Sequence, residues 1–181
     1  MKKKVSKMDL VHYKIIRKNI EEFLQQSAKK YDQVGLSLLE IAPQVHSGAK
    51  TYFTKSILKT LDLDPEAKSD YCLDICKNNK TVISDNTYDI INCNEVLEHT
   101  LQPFLAIAEM YRMLKPGGIL LITTPPFNFR IHGPLPDCWR FTEHGLRALL
   151  SNLFEIIELK ALEKNNRFLM PIHYTVIARK N

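Results

Sequence analysis

Tyr88-Asp89-Ile90-Ile91-Asn92-Cys93-Asn94-Glu95-Val96-Leu97-Glu98-His99 and, further on, Met113-Leu114-Lys115-Pro116-Gly117-Gly118-Ile119-Leu120-Leu121-Ile122-Thr123-Thr124-Pro125 are the two stretches on which the fold turns. Between them Phe104, Leu105, Ile107, Ala108, Tyr111 and Leu114 recur at helical spacing. Pro103 suits a first helical turn, and Gly117-Gly118 suits a stop. The order is therefore strand, helix, tight turn, strand. Two apolar strands joined by such a helix make a parallel crossover unit.

With this spacing, Tyr88-Asp89-Ile90-Ile91, Glu95-Val96-Leu97-Glu98-His99 and Leu114-Lys115-Pro116-Gly117-Gly118 resemble the Rossmann-like (class I) S-adenosylmethionine-dependent methyltransferases, in particular the type 11-like methyltransferase domain. The resemblance covers roughly residues 34 to 179. It implies a single α/β domain, with a seven-stranded, mainly parallel sheet, an antiparallel last strand, and helices on both faces.

The length of 181 residues suits one domain, and an apolar fraction of 45% is enough to fill one core. Cys72, Cys76, Cys93 and Cys138 show no Cys-x-x-Cys spacing, so no metal site is expected and the usage suits a reducing cytoplasm. No apolar run approaches the ~20 residues of a membrane span, and no signal-peptide core follows the basic start. The net charge is +5, but Lys2, Lys3, Lys4 and Lys7 of the basic tail 1–7 supply most of it. Nucleic-acid binding is not indicated by so small a remainder.

Residues 8–181 are expected to form the domain, beginning with an amphipathic helix over 8–33 that packs on the sheet or covers the cofactor. Core strands are expected at Val34–Ile41, Ser56–Leu61, Asp70–Ile75, the central Tyr88 stretch, Ile119–Thr124, Phe154–Leu159 and His173–Arg179, the last two as an antiparallel closing pair. Gly48–Phe53 suits a short helix, and Thr142-Glu143-His144-Gly145 opens another that runs to about Ser151. Asp64 and Asp85 belong to turns.

In such a sheet ligands bind beyond the carboxyl ends of the strands. The resemblance assigns Asp62, with Leu63, to the ribose hydroxyls of S-adenosylmethionine. It assigns Asp74, Ile75 and Cys76 to the adenine, and Asn94 with Glu95 to the methionine part. Glu40 matches the acidic residue that closes the first strand, and Ala42 falls in the loop after it. That loop departs from the family's glycine-rich pattern, reading Glu40-Ile41-Ala42-Pro43-Gln44-Val45-His46-Ser47-Gly48. Ala42 and Gln44 are bulkier than glycine, Pro43 has no N–H, and Gly48 is placed to supply a close approach later in the loop.

The segment 125–141 follows the fifth strand, where the resemblance puts the transferring methyl group. Pro134 and Pro136 forbid a helix through it, and its tryptophan, three phenylalanines and two arginines are unlike a solvated loop. It is expected to form a substrate-side lid. Trp139 would be a wall, Arg130 or Arg140 an anion anchor, and His132 and Asp137 the preferred catalytic candidates, with His99 and His173 behind them. The acceptor is expected to be a small molecule or glycan-like compound. Two other functions stand beside methyl transfer: a catalytically silent S-adenosylmethionine-binding or regulatory protein, and a nicotinamide-dependent oxidoreductase, which would lack its Gly-x-Gly-x-x-Gly fingerprint here.

Overall fold

The computed structural model describes residues 7–43, 48–126, 129–133, 136–163 and 169–181, with only the backbone described at 8 and 9. A seven-stranded sheet has the order β3-β2-β1-β4-β5-β7-β6. Its strands are β1 (Ser37–Ile41), β2 (Ile57–Asp62), β3 (Tyr71–Cys72), β4 (Tyr88–Asn94), β5 (Leu114–Thr124), β6 (Phe154–Leu162) and β7 (His173–Lys180). β7 runs antiparallel to both neighbours, and the pairs from β3 through β5 are parallel. Order reverses between β1 and β4, so the crevice of a doubly wound sheet opens at their carboxyl ends.

Helix α1 (Lys7–Tyr31) covers one face. Its Ile16, Ile20, Phe23 and Leu24 pack with Leu38, Ile90, Leu121 and Ile177 of the strands. Helices α2 (Pro103–Met113) and α3 (Glu143–Leu150) cover the other face. There Ala106, Ile107, Met110, Leu146 and Leu150 meet Leu39, Ile91, Leu120 and Val176. The central strands bury side chains on both faces, which explains their near-continuous apolar sequence. Thr142 caps α3 by accepting from the Gly145 amide at 3.1 Å, as its sequence position suggests.

Several boundaries differ from the sequence expectation. The first strand begins at Ser37, because Gly35 turns the chain at φ +87° and Val34 is left exposed. The expected strand Asp70–Ile75 shrinks to Tyr71–Cys72. Asp70 instead binds the side chain of Lys59 and the amide of Thr60, while Asp74 accepts from the Cys76 amide in a turn. The helix expected at Gly48–Phe53 is a single 3-10 turn, Ala49–Thr51. β5 starts at Leu114 instead of Ile119, and its pairing with β4 shifts register between Tyr88 and Ile90. Glycine is required in this bulge: a Cβ at Gly118 would lie 2.8 Å from the Lys115 carbonyl oxygen. The last two strands each extend past the expected ends. Of the basic tail 1–7, only Lys7 lies within the described residues, and it opens α1.

Candidate functional site

Two adjoining cavities open at the carboxyl ends of β1 and β4. One, about 520 Å³, is lined by Glu40, Ala42, Pro43, Gly48, Tyr52, Asn94 and Glu95, with Tyr13 and Arg17 of α1 above them. The other, about 460 Å³, lies between α1 and the segment after β5, bordered by Glu95, His99, Phe129, Arg130 and His132. Tyr13, Arg17 and Glu95 belong to both. The Arg17 guanidinium sits 5.0 Å from the centre of the Tyr13 ring, a cation–π contact. Helix α1 thus packs on the sheet and also lines both clefts.

Glu40 is buried. Its neighbour across the β1–β4 register is Asn92. Its Oε1 accepts from Asn92 Nδ2 at 3.1 Å and from the Ala49 amide at 2.7 Å. Burial raises the carboxyl pKa, partly opposed by these two donors. Glu40 therefore acts inside the protein, holding the 3-10 turn beside the cavity. Gly48 packs directly on that carboxylate. Its close approach is to Glu40 itself.

Ala42 adopts φ +48°, the left-handed region in which glycine is unstrained, and its amide donates to the Leu61 carbonyl at 2.7 Å. The backbone keeps a glycine conformation at an alanine. Residues 44–47 of this loop lie outside the described residues. Ala42→Gly should raise unfolding stability, by up to ~1 kcal/mol after the extra freedom of the unfolded chain is subtracted. Urea denaturation measures it, and an unchanged or lowered midpoint would contradict strain at this position.

Asn94 and Glu95 follow the end of the central strand. Asn94 Oδ1 is buried and has no hydrogen-bond partner among the described residues, although its residue lines the larger cavity. An orphaned acceptor at this place fits a ligand donor such as an ammonium group. Glu95 has φ +52°, a second strained non-glycine at the site. Its Oε1 accepts from Thr123 Oγ1 at 3.0 Å and from His173 Nε2 at 2.8 Å. Asn19 Nδ2 donates to the other ring nitrogen of His173 at 2.7 Å. Burial opposes ionisation of Glu95, but these partners outweigh it and the pKa falls. His173 is fully buried, and so it supports Glu95 from behind.

Asp62, Leu63, Asp74 and Ile75 stand on the same rim but outside both cavities. Asp62 is half-buried and accepts from the Asp64 amide at 2.9 Å, and Leu63 is exposed. Ile75 is buried in the core that lies under α2.

The segment after β5 lies along the same rim. The amides of Cys138 and Trp139 donate to the Glu98 carbonyl at 2.7 and 3.1 Å. Trp139 Nε1 donates to the Thr100 carbonyl at 2.8 Å. Trp139 is outside both cavities, and this hydrogen bond ties it to the turn after β4. Arg140 is bound within the loop. Its guanidinium forks onto Asp137 and donates to the carbonyls of Phe129, Arg130 and Trp139. Arg130 and His132 face the smaller cavity. Asp137 accepts from the His132 amide at 2.8 Å, and the Arg140 fork lowers its pKa to about 2. Of the two candidate catalytic residues, His132 meets the cavity and Asp137 orients it. Residues 127, 128, 134 and 135 of this segment lie outside the described ones.

Sequence reasoning gave no role to Glu98. Its side chain is fully buried, neither carboxylate oxygen has a hydrogen-bond partner among the described residues, and burial raises its pKa to about 7. The sequence signal was its place beside His99, at the end of the quoted central stretch.

Residues 39–122 match the family model for the methyltransferase domain. Over 62 residues the chain is 37% identical to the ubiquinone biosynthesis O-methyltransferase of Photobacterium profundum, covering 34% of this chain and 26% of that protein. Over 54 residues it is 39% identical to the ubiquinone/menaquinone biosynthesis C-methyltransferase UbiE of Desulfotalea psychrophila, covering 29% and 22%. The chain therefore spans about a quarter of the length of these relatives.

Among solved structures, the N-methyltransferase NodS from Bradyrhizobium japonicum WM9, in complex with S-adenosyl-L-homocysteine, superposes with a TM-score of 0.67 at 18% identity, over 91% of this chain and 86% of that one. The [4+2]-cyclase SpnF superposes with a TM-score of 0.68 at 16% identity, over 90% and 80%. S-adenosylmethionine is the cofactor of this methyltransferase class. A cyclase on the same architecture makes the fold alone insufficient for assigning methyl transfer. Among the described residues no helix is long and apolar enough to cross a membrane.

Proposed function

We propose that the domain transfers a methyl group from S-adenosylmethionine to a small-molecule or glycan-like acceptor. The observation that carries this reading is the meeting of two cavities at Glu95, at the switch point of the sheet. The cofactor would supply a methyl carbon already activated by a sulfonium charge. The protein's task is then chiefly to hold donor and acceptor at attack distance and exclude water.

Asn94 would take the ammonium of the methionine part, beside Ala42 and under Tyr13 and Arg17. Asp62 would accept from the ribose hydroxyls, with Leu63 beside it, and Asp74 with Ile75 would face the adenine. Glu40 keeps the 3-10 turn in place, and Glu95 stands where the two clefts join. On the acceptor side His132 offers its ring, oriented by Asp137, and Arg130 offers a positive charge to an anionic group. Trp139 and Arg140 hold the segment closed. The unpaired cysteines accord with a reducing, cytoplasmic setting. Neither the charge nor the cavities favour a nucleic-acid partner.

Calorimetric titration with S-adenosyl-L-homocysteine tests the donor side. Binding is expected, and Asp62→Ala should weaken it by roughly 1–3 kcal/mol, the cost of leaving hydrogen-bonding groups unpaired. No binding by the parent, or equal binding by the variant, would count against the assignment. A second reading, a protein that binds the cofactor without transferring methyl, draws on Pro43 and the strained Ala42 where the family has glycine. Bound S-adenosylmethionine that stays intact with every hydroxyl, amine and phenol acceptor tried would favour it.

A further inference from the structure

We infer that Glu98, His99 and His132 form a binding site for one divalent transition-metal ion at the floor of the smaller cavity. One ligand atom from each of the three lies within 4.8 Å of the others. Glu98 Oε1 is 3.7 Å from His99 Nε2 and 3.7 Å from His132 Nε2. Metal bonds of about 2.0–2.1 Å in a tetrahedral site put ligand atoms roughly 3.3–3.4 Å apart. A contraction of a few tenths of an ångström therefore closes these two distances around an ion.

The hydrogen bonds at the backs of the rings decide what faces the centre. His99 Nδ1 lies 3.0 Å from the Pro136 carbonyl oxygen, which can only accept, so this nitrogen carries the proton. His132 Nδ1 lies 3.3 Å from the Arg130 carbonyl oxygen and 3.3 Å from Asp137 Oδ2, two further acceptors. In each neutral ring the Nε2 lone pair is then left pointing inward. Both face Glu98, whose two carboxylate oxygens are buried without a donor among the described residues. With both rings in this neutral form three acceptors converge on one point, and among the described residues no donor lies within hydrogen-bond distance of the Glu98 oxygens. A cation satisfies all three together.

Metal-binding histidines commonly donate their second ring N–H to a carbonyl or carboxylate, which fixes tautomer and orientation. Pro136 serves His99 in this way, and Asp137, itself clasped by Arg140, serves His132. Two imidazoles and one carboxylate suit zinc, iron, cobalt or manganese better than calcium or magnesium, which prefer all-oxygen sets. Three protein ligands leave coordination positions free, and His99 and His132 both line the cavity. On the methyl-transfer reading, those positions would take an oxygen of the acceptor and ease loss of its proton, with His132 acting through the ion.

The test uses the full chain, stripped of metal with EDTA and dialysed, then titrated with Co2+ alone. Calorimetry and visible absorption are read together. Saturable binding of one Co2+ per chain is expected, displaced by Zn2+, with affinity reduced at least tenfold in both Glu98→Gln and His132→Asn. Both substitutions are close in shape to the parent side chains, and far-UV circular dichroism checks that each variant is folded. If one variant fails to fold, the other carries the comparison.

Absence of saturable binding in the parent would overturn the proposal, as would equal affinity in the folded variants. So would a near-ultraviolet sulfur-to-cobalt band, since ligation would then lie at an exposed thiol such as Cys72 or Cys138. S-adenosyl-L-homocysteine titration of the EDTA-treated protein reports on the donor side separately. Failure of the metal site and failure of the methyl-transfer reading are thereby distinguished.

Discussion

Gly48→Ala should be the most damaging single-methyl change at the donor side. At φ +45° and ψ −148° Gly48 occupies backbone space that is nearly exclusive to glycine. Forcing a side chain there costs roughly 1–3 kcal/mol. The added Cβ would also lie 2.4 Å from Glu40 Oε1, well inside van der Waals contact. Glu40 is only 4% exposed, so its carboxylate has little room to move aside. It would have to leave the Ala49 amide and Asn92, and unpaired buried groups of this kind cost about 1–3 kcal/mol more.

Gly35 supplies the control. Its φ is +87°, but a Cβ there meets nothing within 4 Å. Gly35→Ala should therefore show the backbone strain alone, about 1–2 kcal/mol. Urea denaturation of both variants isolates the clash with Glu40. Gly48 lines the larger cavity and Gly35 does not, so only Gly48→Ala should also weaken S-adenosyl-L-homocysteine binding. Equal destabilisation by the two substitutions would mean that Glu40 does not hold this turn.

The parts of the fold that were legible in sequence are those where periodicity and punctuation agree. The β4–α2–β5 unit has apolar strands and a proline-led helix, and these signals are local; the expected Gly117-Gly118 turn is instead part of β5, because α2 already ends at Met113. Thr142 and Gly145 gave the start of α3 for the same reason. The third strand was not legible beyond its first residues. Asp70, Asp74 and Cys76 make side-chain and turn contacts there that compete with pairing, and two residues are enough to complete the sheet edge.

At the site, the places of Glu40, Asn94 and Glu95 followed from strand ends, because the carboxyl rim of a parallel sheet is fixed by topology. What these side chains touch was not available from position. Arg140 and Asp137 are three residues apart, a spacing that permits the fork, yet sequence could not tell a self-contained pair from an anion anchor. Glu98 was hidden for a different reason. Nothing local marks a carboxylate as buried, and the two rings that face it come from segments separated by the whole α2–β5 unit.

Asp137→Asn should open the acceptor side while sparing the donor side. The Asp137 carboxylate is fully buried, and it joins Arg140, the His132 amide and the His132 ring in one cluster. Asparagine keeps the shape but removes the charge opposite a guanidinium that is itself only 17% exposed. Breaking a buried pair from one side costs roughly 3–5 kcal/mol. The loss should fall on the segment after β5 more than on the sheet, because every partner of Asp137 lies between Phe129 and Arg140.

Trp139 is the chain's single tryptophan and reports on that segment directly. Its indole N–H is held by Thr100 and its amide by Glu98. In Asp137→Asn its emission should shift to longer wavelength, and the Cys138 and Trp139 amides should lose hydrogen-exchange protection. Methyl transfer should fall by at least tenfold once an acceptor is in hand, with S-adenosyl-L-homocysteine affinity changed less than threefold. Arg140→Lys should give the same pattern in milder form, since an ammonium keeps the charge but cannot fork onto the carboxylate and reach the carbonyls of Phe129 and Arg130 as well. Unshifted emission with unimpaired turnover in Asp137→Asn would show that the clasp does not position His132. A loss of donor affinity equal to the loss of turnover would show that the two cavities do not act as separate sites.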